Sequence, residues 1–166
     1  MSKYILDARF FILSRDYYPE VFPTFWESID SVVENDIASS VDEVYEELEQ
    51  YGGEQDHLIN WAKRNKRIFT KPTLDEQGNV GKIFTIPEFR RIMTRQKQLR
   101  GGPFADPFVI AKAIATGGIV VTGELPTNKG KKGTTQGSPK IPDICKHFGV
   151  ECITPEECMK RLDWRF

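Results

Sequence analysis

Short apolar runs alternate with stretches of helical periodicity along this chain, and that alternation limits the folds open to it. The clearest runs are Tyr4–Leu6, which Phe10–Leu13 continues, and Ile119–Thr122, and weaker strand patterns lie at 36–39 and 150–153. Strands that are separated by helices form parallel sheets with helices on both faces. The sequence therefore predicts an α/β fold, a three-layer α/β/α sandwich with a central, mainly parallel sheet.

Two capping patterns mark helix starts in the intervening segments. Ser40 and Glu43 have the spacing of a capping box, and Thr154 with Glu157 repeats that spacing before the last helix. By contrast, the segment Lys71–Lys82 is polar and contains one proline and two glycines, which is typical of a loop. We therefore expect helices after the two capping patterns and no helix in this polar segment.

Composition restricts the class of protein. The chain has 166 residues, 39% of them hydrophobic, and a formal net charge of −1, which indicates a single folded domain over residues 1–166. No apolar run approaches the roughly 20 residues of a membrane-spanning helix, and no basic segment at the start precedes a long apolar run, so we expect neither a membrane span nor a signal peptide. Three cysteines without a Cys-x-x-Cys pair favour reduced thiols in the cytoplasm.

Four acids are candidates for a site at the edge of the sheet where such folds bind their ligands. Asp7 ends the first strand, and Glu124 follows the strand at 119–122, where open parallel sheets keep their binding crevice. Asp106 precedes a proline and is expected to be the N-cap of an apolar helix, and Glu47 lies beside the apolar stripe of the helix after the second strand. Each has an ordinary explanation as a turn, cap, loop or exposed residue. Together they suit a hard divalent cation, Mg²⁺ or Mn²⁺.

These acids belong to stretches that resemble the PIN-domain superfamily, which includes the VapC toxin ribonucleases, and more closely an uncharacterised bacterial PIN-like family. The resemblance extends over most of the chain, in the order of a PIN domain. The matching stretches are Tyr4–Ala8, Pro23-x-Phe25-Trp26, Ser39–Leu48, Ala105–Ala111, Val120–Glu124 and Lys140–Cys145.

The resemblance implies a PIN-like fold and Mg²⁺- or Mn²⁺-dependent cleavage of RNA. It places Asp7, Glu47, Asp106 and Glu124 in the acidic positions that bind the ion and complete the site. Glu124 stands where many PIN domains have Asp, which a metal or its water shell should tolerate. The resemblance also implies two partners, RNA and a cognate antitoxin protein, and a homodimer is left open.

Arg9 is the main departure from the PIN pattern, which often has a small polar residue at this position. A guanidinium two residues from Asp7 can pair with the acids and compete with a metal. It can instead point away from them, or bind the scissile phosphate. The sequence alone does not decide among these three positions of the Arg9 side chain.

Basic residues are concentrated in two segments. Pro87 begins a predicted basic helix, and Lys140 lies at the start of a later helix after a lysine-containing loop. Local basic clusters on a nearly neutral domain fit phosphate binding, although a solvated helix face explains the first cluster equally well. The candidate nucleic-acid contacts are Arg9, Arg90, Arg91, Arg95 and Lys140.

Three functions therefore compete. The first is a metal-dependent endoribonuclease of the toxin type. The second is a catalytically inactive PIN-fold module that binds nucleic acid or protein, with Arg9 neutralising the acidic pocket. The third is a phosphotransferase with Asp7 as nucleophile, which is disfavoured because such enzymes need a second Asp where this chain has Arg9.

Overall fold

A computed structural model of the chain describes residues 4–92, 105–127 and 139–166. Five strands form its sheet: β1 (Tyr4–Leu6), β2 (Ala38–Val41), β3 (Phe69–Thr70), β4 (Ile119–Val121) and β5 (Cys152–Ile153). The α-helices in these residues are α1 (Ala8–Ser14), α2 (Pro23–Glu34), α3 (Asp42–Tyr51), α4 (His57–Arg64), α5 (Leu74–Thr85), α6 (Asp106–Thr116), α7 (Ile141–His147) and α8 (Pro155–Arg161), and 3₁₀ turns lie at Lys66–Ile68 and Phe89–Ile92. Within the described ranges, none of the helices has the length and apolarity that a bilayer crossing requires.

The sheet is parallel throughout, with the strand order β3-β2-β1-β4-β5. β1 is central, and its residue Leu6 lies opposite Val121 of β4. Both strands are buried along their whole length, as expected for a parallel sheet that has helices on both faces. The predicted α/β/α sandwich with a parallel sheet is therefore confirmed.

The helices divide between the two faces of the sheet. On one face α6 packs against both α5 and α7, and on the other α3 packs against α1 and α4. Side chains of α1, α2 and α8 surround a shared small cavity on that second face. This division follows from right-handed crossovers, because the chain moves across the sheet in one direction from β1 to β3 and in the other from β3 to β5.

The structure assigns helices to two segments for which the sequence predicts none. Phe10–Leu13, the apolar run after the first strand, lies in α1, which Asp7 caps and which buries Phe10 and Phe11 in the core. The polar segment Lys71–Lys82 is largely helical, because it contains most of α5. Packing of α5 against α6 offsets the intrinsic cost of its glycines.

The predicted capping box at Ser40 is wrong, whereas the one at the last helix is confirmed in part. β2 continues to Val41, so Ser40 lies in the sheet, and its hydroxyl donates to the carbonyl of Leu6 at 2.6 Å. α3 therefore starts at Asp42, and its N-cap makes no side-chain hydrogen bond. At the last helix, the Thr154 hydroxyl does accept the Glu157 amide at 3.2 Å.

A buried ion pair connects α5 and α6. Lys112 Nζ lies 3.5 Å from Glu76 Oε1, and the two side chains are only 10% and 4% exposed. Lys112 also donates to the Thr70 hydroxyl at 2.7 Å, at the end of β3. Glu76 in turn forms a capping box with Thr73 at the start of α5. This cluster ties α6, which begins at Asp106, to the sheet.

Removal of the Glu76 charge should destabilise the protein strongly. Glu76→Gln leaves the Lys112 ammonium buried without its counter-charge, and breaking one side of a buried pair costs about 3–5 kcal/mol. We expect a loss of that order in the free energy of unfolding, measured by urea denaturation. The exposed neighbour variant Asp75→Asn is the control and should change stability by less than about 0.5 kcal/mol. Equal effects of the two variants would contradict the importance of the pair.

Candidate active site

The candidate site lies where the order of the sheet reverses. β2 and β3 extend to one side of β1, and β4 and β5 extend to the other. In open parallel sheets, such a switch point leaves a crevice outside the carboxyl ends of the two central strands. Asp7 directly follows β1, and Thr122 and Glu124 follow β4. The topology therefore brings residues more than 100 positions apart to the same crevice.

Asp7 is held by three hydrogen bonds, one that its own amide donates and two that its carboxylate accepts. Its amide donates to the carbonyl of Val121 at 3.0 Å, which continues the pairing of β1 with β4. Its carboxylate Oδ2 accepts the Arg9 amide at 3.3 Å as the N-cap of α1, and the Thr122 hydroxyl at 2.8 Å. Only 2% of the residue is exposed. The carboxyl group of Asp7 is thus fixed in a nearly water-free position.

The pKa of Asp7 is raised from 3.8 to about 7. Burial is the largest cause, because an ionised carboxylate loses its hydration. The charge of Asp106 is the next largest, and that of Glu124 adds to it, whereas the hydrogen bonds from Thr122 and Arg9 lower the pKa. The structure therefore brings Asp106 and Glu124 close enough to Asp7 for their charges to act on its carboxyl group.

Thr122 is a site residue that the sequence analysis missed as such. Its hydroxyl donates to Asp7 and accepts the Glu124 amide at 3.1 Å, so it couples the ends of β1 and β4. The residue is 1% exposed. A threonine at the end of an apolar strand and two residues before an acid is a local signal for a site residue. Its partner Asp7 is 115 residues away in sequence, so the hydrogen bond between them cannot be recognised locally.

Glu124 is anchored at the start of a helix. Its Oε2 accepts the Ile141 amide of α7 at 3.1 Å, as anions do at helix N-termini. A second carboxylate, that of Asp143, also binds at the start of α7, where it accepts hydrogen bonds from the amides of Lys140 and Thr127. Glu124 is half-buried. One of its oxygens binds the helix, and its charge also acts on Asp7.

The expected N-cap role of Asp106 is wrong by one position. Ala105 is the N-cap of α6, and its carbonyl accepts the amides of Phe108 and Val109, so the helix already includes Asp106. Because Ala105 has an αR backbone, the first turn starts one residue earlier than the proline suggests. Asp106 is half-buried in that first turn, where the helix dipole favours a carboxylate.

Glu47 is the fourth predicted acid, and it lies on a different element from the other three. It is half-buried on α3, which packs against α1. In the described part of the chain, the acids that raise the pKa of Asp7 are Asp106 and Glu124. Glu43 on the same helix has a buried oxygen without a hydrogen-bond partner among the described residues, and burial raises its pKa.

The donors of the crevice suit a hard cation chemically. Across residues 4–92, 105–127 and 139–166, no group of three or more His, Cys, Asp or Glu side chains has the geometry to hold a metal ion. Mg²⁺, however, commonly binds through one or two carboxylates and keeps several water ligands. A cation would also relieve the repulsion that raises the pKa of Asp7. Among the described acids, Asp7 and Asp106 are the candidate ligands of such an ion, and Glu124 is a candidate to bind through water.

The basic residues predicted to contact nucleic acid lie at different distances from the crevice. Arg9 is exposed beside the crevice, and a Cβ at Gly123 would lie 3.5 Å from the Cβ of Arg9. Lys140 is exposed at the N-cap of α7, next to the amide that binds Glu124. Arg90 donates from Nε to the carbonyl of Phe84 at 2.7 Å, so it has a structural contact.

The basic helix predicted from Pro87 is described only at its start. A short 3₁₀ turn covers Phe89–Ile92, whereas the Arg91 side chain, Arg95 and the rest of this segment lie outside the described residues.

Comparison with known proteins assigns a family. The model of a domain of unknown function, DUF4411, matches residues 4–166. The chain belongs to this family. No curated protein and no solved structure matches the chain significantly. Membership therefore extends across both halves of the candidate site, from Asp7 to Glu124.

The raised pKa of Asp7 predicts a loss of stability as pH rises. Between about pH 4 and pH 7 the folded protein holds a proton on Asp7 that the unfolded chain has released, so the free energy of unfolding falls with pH across this window. We expect the fall from pH 4 to pH 8, measured in EDTA, to be larger in the wild type than in Asp7→Asn by on the order of 2–4 kcal/mol. Parallel pH profiles of the two proteins would contradict the buried, repelled carboxyl.

Proposed function

We propose that this protein is a metal-dependent endoribonuclease that hydrolyses RNA phosphodiester bonds, and that it acts in the cytoplasm as the toxin of a bacterial toxin–antitoxin pair. The observation that carries the proposal is the group of Asp7, Asp106 and Glu124 at the switch point of the sheet, with the pKa of Asp7 raised to about 7. A buried acid whose pKa is raised by burial and by neighbouring charges is costly to stability and is typical of functional sites.

The chemistry follows from the acids and from the ion they suit. When bound, Mg²⁺ or Mn²⁺ would lower the pKa of a water molecule and neutralise charge on the phosphate. Asp7 and Asp106 would hold the ion. Glu124, whose other oxygen is held by α7, would orient the attacking water, and Thr122 would keep Asp7 in its rotamer.

Substrate binding would depend on the basic side chains next to the crevice. Arg9 and Lys140 are both exposed and lie on the segments that also hold Asp7 and Glu124. Their charges can neutralise phosphates on either side of the bond that is cut. The second partner in the proposal is a cognate antitoxin protein, and the active form is either a monomer or a homodimer.

The exposed position of Arg9 favours an enzyme over an inactive binding module. The inactive module requires the guanidinium to pair with the crevice acids. No ion pair of Arg9 is found among the described residues, and the side chain is exposed while Asp7 is buried. Arg9 contributes its backbone amide to Asp7, which leaves the guanidinium available for phosphate.

Cleavage of RNA with Mn²⁺ tests the site directly. We expect Asp7→Asn and Asp106→Asn to lower the cleavage rate of single-stranded RNA by at least about 100-fold, because each removes a charge that activates water or holds the ion. Asp75→Asn, an exposed acid in the first turn of α5, is the matched control and should cleave at the wild-type rate. Persistent activity in both site variants, with both folded by circular dichroism, would overturn the proposed site.

Calorimetry with Mn²⁺ separates the enzyme from the inactive module. We expect the wild type to bind Mn²⁺, and Arg9→Asn to bind it equally well while RNA binding weakens roughly tenfold through the lost charged hydrogen bond. The exposed terminal variant Arg165→Asn should alter neither affinity. If only Arg9→Asn binds Mn²⁺, Arg9 neutralises the pocket and the inactive module is the better description.

A further inference from the structure

A cavity of about 340 Å³ lies between the end of α1, the start of α2 and the start of α8. Its lining is mainly apolar and includes four aromatic side chains, those of Phe10, Tyr17, Phe22 and Phe25. The Tyr17 ring centroid lies 5.3 Å from that of Phe22 and 4.6 Å from that of Phe25. Pockets that bind small ligands begin at about 300 Å³. The cavity is therefore large enough for one planar ring system, and aromatic rings form part of its wall.

Leu13 connects this cavity to the crevice of the candidate site. Leu13 lines the cavity and is 45% exposed. Its Cδ1 atom lies 3.2 Å from the position that a Cβ of Gly123 would occupy, and Gly123 separates Thr122 from Glu124. Pro155, which begins α8, comes two residues after the end of β5 and therefore lies at the same edge of the sheet as the crevice. A strand bound across the crevice can thus place a neighbouring base in the cavity.

The charged side chains that line the cavity are both acidic. Asp16 follows α1 and Glu156 lies in the first turn of α8, so each comes from a different part of the wall. Both are exposed, and among the described residues neither side chain makes an ion pair or a hydrogen bond. No lysine, arginine or histidine is found in the described part of this lining. Because ionised carboxylates only accept hydrogen bonds, they favour an occupant that presents N–H donors and disfavour a phosphate.

Guanine has the edge that such carboxylates recognise. Its N1–H and its N2 amino group are adjacent donors, which one carboxylate can accept together. Uracil, in contrast, presents a single N–H between two carbonyl oxygens, and a carboxylate repels both of those oxygens. Unstacked RNA bases also stack on aromatic side chains, which Tyr17 and Phe22 supply here. The exposed Arg9, whose Cβ lies 3.5 Å from the Cβ position at Gly123, can hold a phosphate outside the cavity.

A cationic side chain of a protein partner is the other occupant that this lining suits, because guanidinium and ammonium groups bind both carboxylates and aromatic faces. The position of the cavity favours the base. The contact of Leu13 with Gly123 joins the cavity directly to the crevice, where the proposed substrate is an RNA strand.

We propose that this cavity binds a guanine base of the RNA strand, next to the phosphodiester bond that is cut, and that Asp16 and Glu156 select this base. The inference rests on the proposed ribonuclease function and adds its sequence specificity. The base stacks beside Tyr17 and Phe22, the carboxylates accept its N1–H and N2 amino protons, and the flanking phosphate lies outside the cavity at Arg9. Asp16 and Glu156 are therefore specificity-determining residues that take no part in the hydrolysis.

Methyl NMR tests the cavity without any cleavage of RNA. Met159 lines the cavity, so in protein labelled at its methionine methyl groups its resonance reports an occupant, and Met159→Leu identifies the signal. We expect guanosine to shift this resonance and to bind at least about fivefold more tightly than inosine, which lacks only the N2 amino group, because one charge-assisted hydrogen bond is lost. Uridine should bind more weakly still.

Conservative variants of the two acids identify the groups responsible. The double variant Asp16→Asn/Glu156→Gln should bind guanosine and inosine alike, and it should fold as the wild type does because both residues are exposed. Asp75→Asn, which changes an exposed acid of α5, is the control and should keep the preference for guanosine. Equal binding of the three nucleosides by the wild type, or an unchanged preference in the double variant, would overturn the proposal. So would a shift caused by N-acetyl-argininamide and by none of the nucleosides, which would assign the cavity to a protein partner.

Sequencing of the cleavage products connects the cavity to the substrate. With Mn²⁺ and an RNA of mixed sequence, we expect the wild type and Asp75→Asn to cut at a fixed distance from a guanine, and the double variant to lose this preference by at least about fivefold. Cleavage without a preference for guanine would overturn the inference and leave the proposed ribonuclease intact. Absence of cleavage by the wild type would overturn the proposed function and, with it, the role of the cavity in substrate choice, whereas the guanosine measurement still reports on the cavity alone.

Discussion

The pairing of β1 with β4 is the interaction on which the candidate site depends. Leu6 lies opposite Val121, and the ladder extends one step further through the amide of Asp7. The hydroxyl of Thr122 then closes the pair with a hydrogen bond to the Asp7 carboxylate. A slip by one residue would turn every side chain to the opposite face of the sheet. The register of these two strands therefore decides which acids meet in the crevice.

The crevice is costly to stability. Asp7 is buried near Asp106 and Glu124, and its raised pKa reflects the desolvation and the repulsion that result. Neighbouring contacts offset part of this cost, since Thr122, the Arg9 amide and the start of α7 each stabilise a carboxylate. Away from the crevice, the Lys112–Glu76 pair and the packing of α5 against α6 hold the helix that begins at Asp106. The acids stay together because the elements that hold them are fixed by other interactions.

Local signals in the sequence account for the central strands and fail where an element is very short or depends on tertiary contacts. The apolar strands at Tyr4–Leu6 and Ile119–Val121 have a pattern that is hard to misread, because both faces of a central parallel strand are buried. β3 has two residues, too few for any pattern. α5 has two glycines and a polar composition, so its helix depends on the capping box at Thr73 and on contacts with α6. The start of α3 was misplaced because Ser40 bonds across the sheet to Leu6 rather than to its own helix.

The sequence by itself determined the fold class, the parallel sheet, and the acids at the ends of β1 and β4, because strand patterns and their carboxyl ends can be recognised locally. Only the tertiary structure decided that the charges of Asp106 and Glu124 act on the carboxyl group of Asp7. It also decided the role of Thr122. The physical reason is that burial, charge repulsion and hydrogen bonds across strands depend on distances between residues that are remote along the chain.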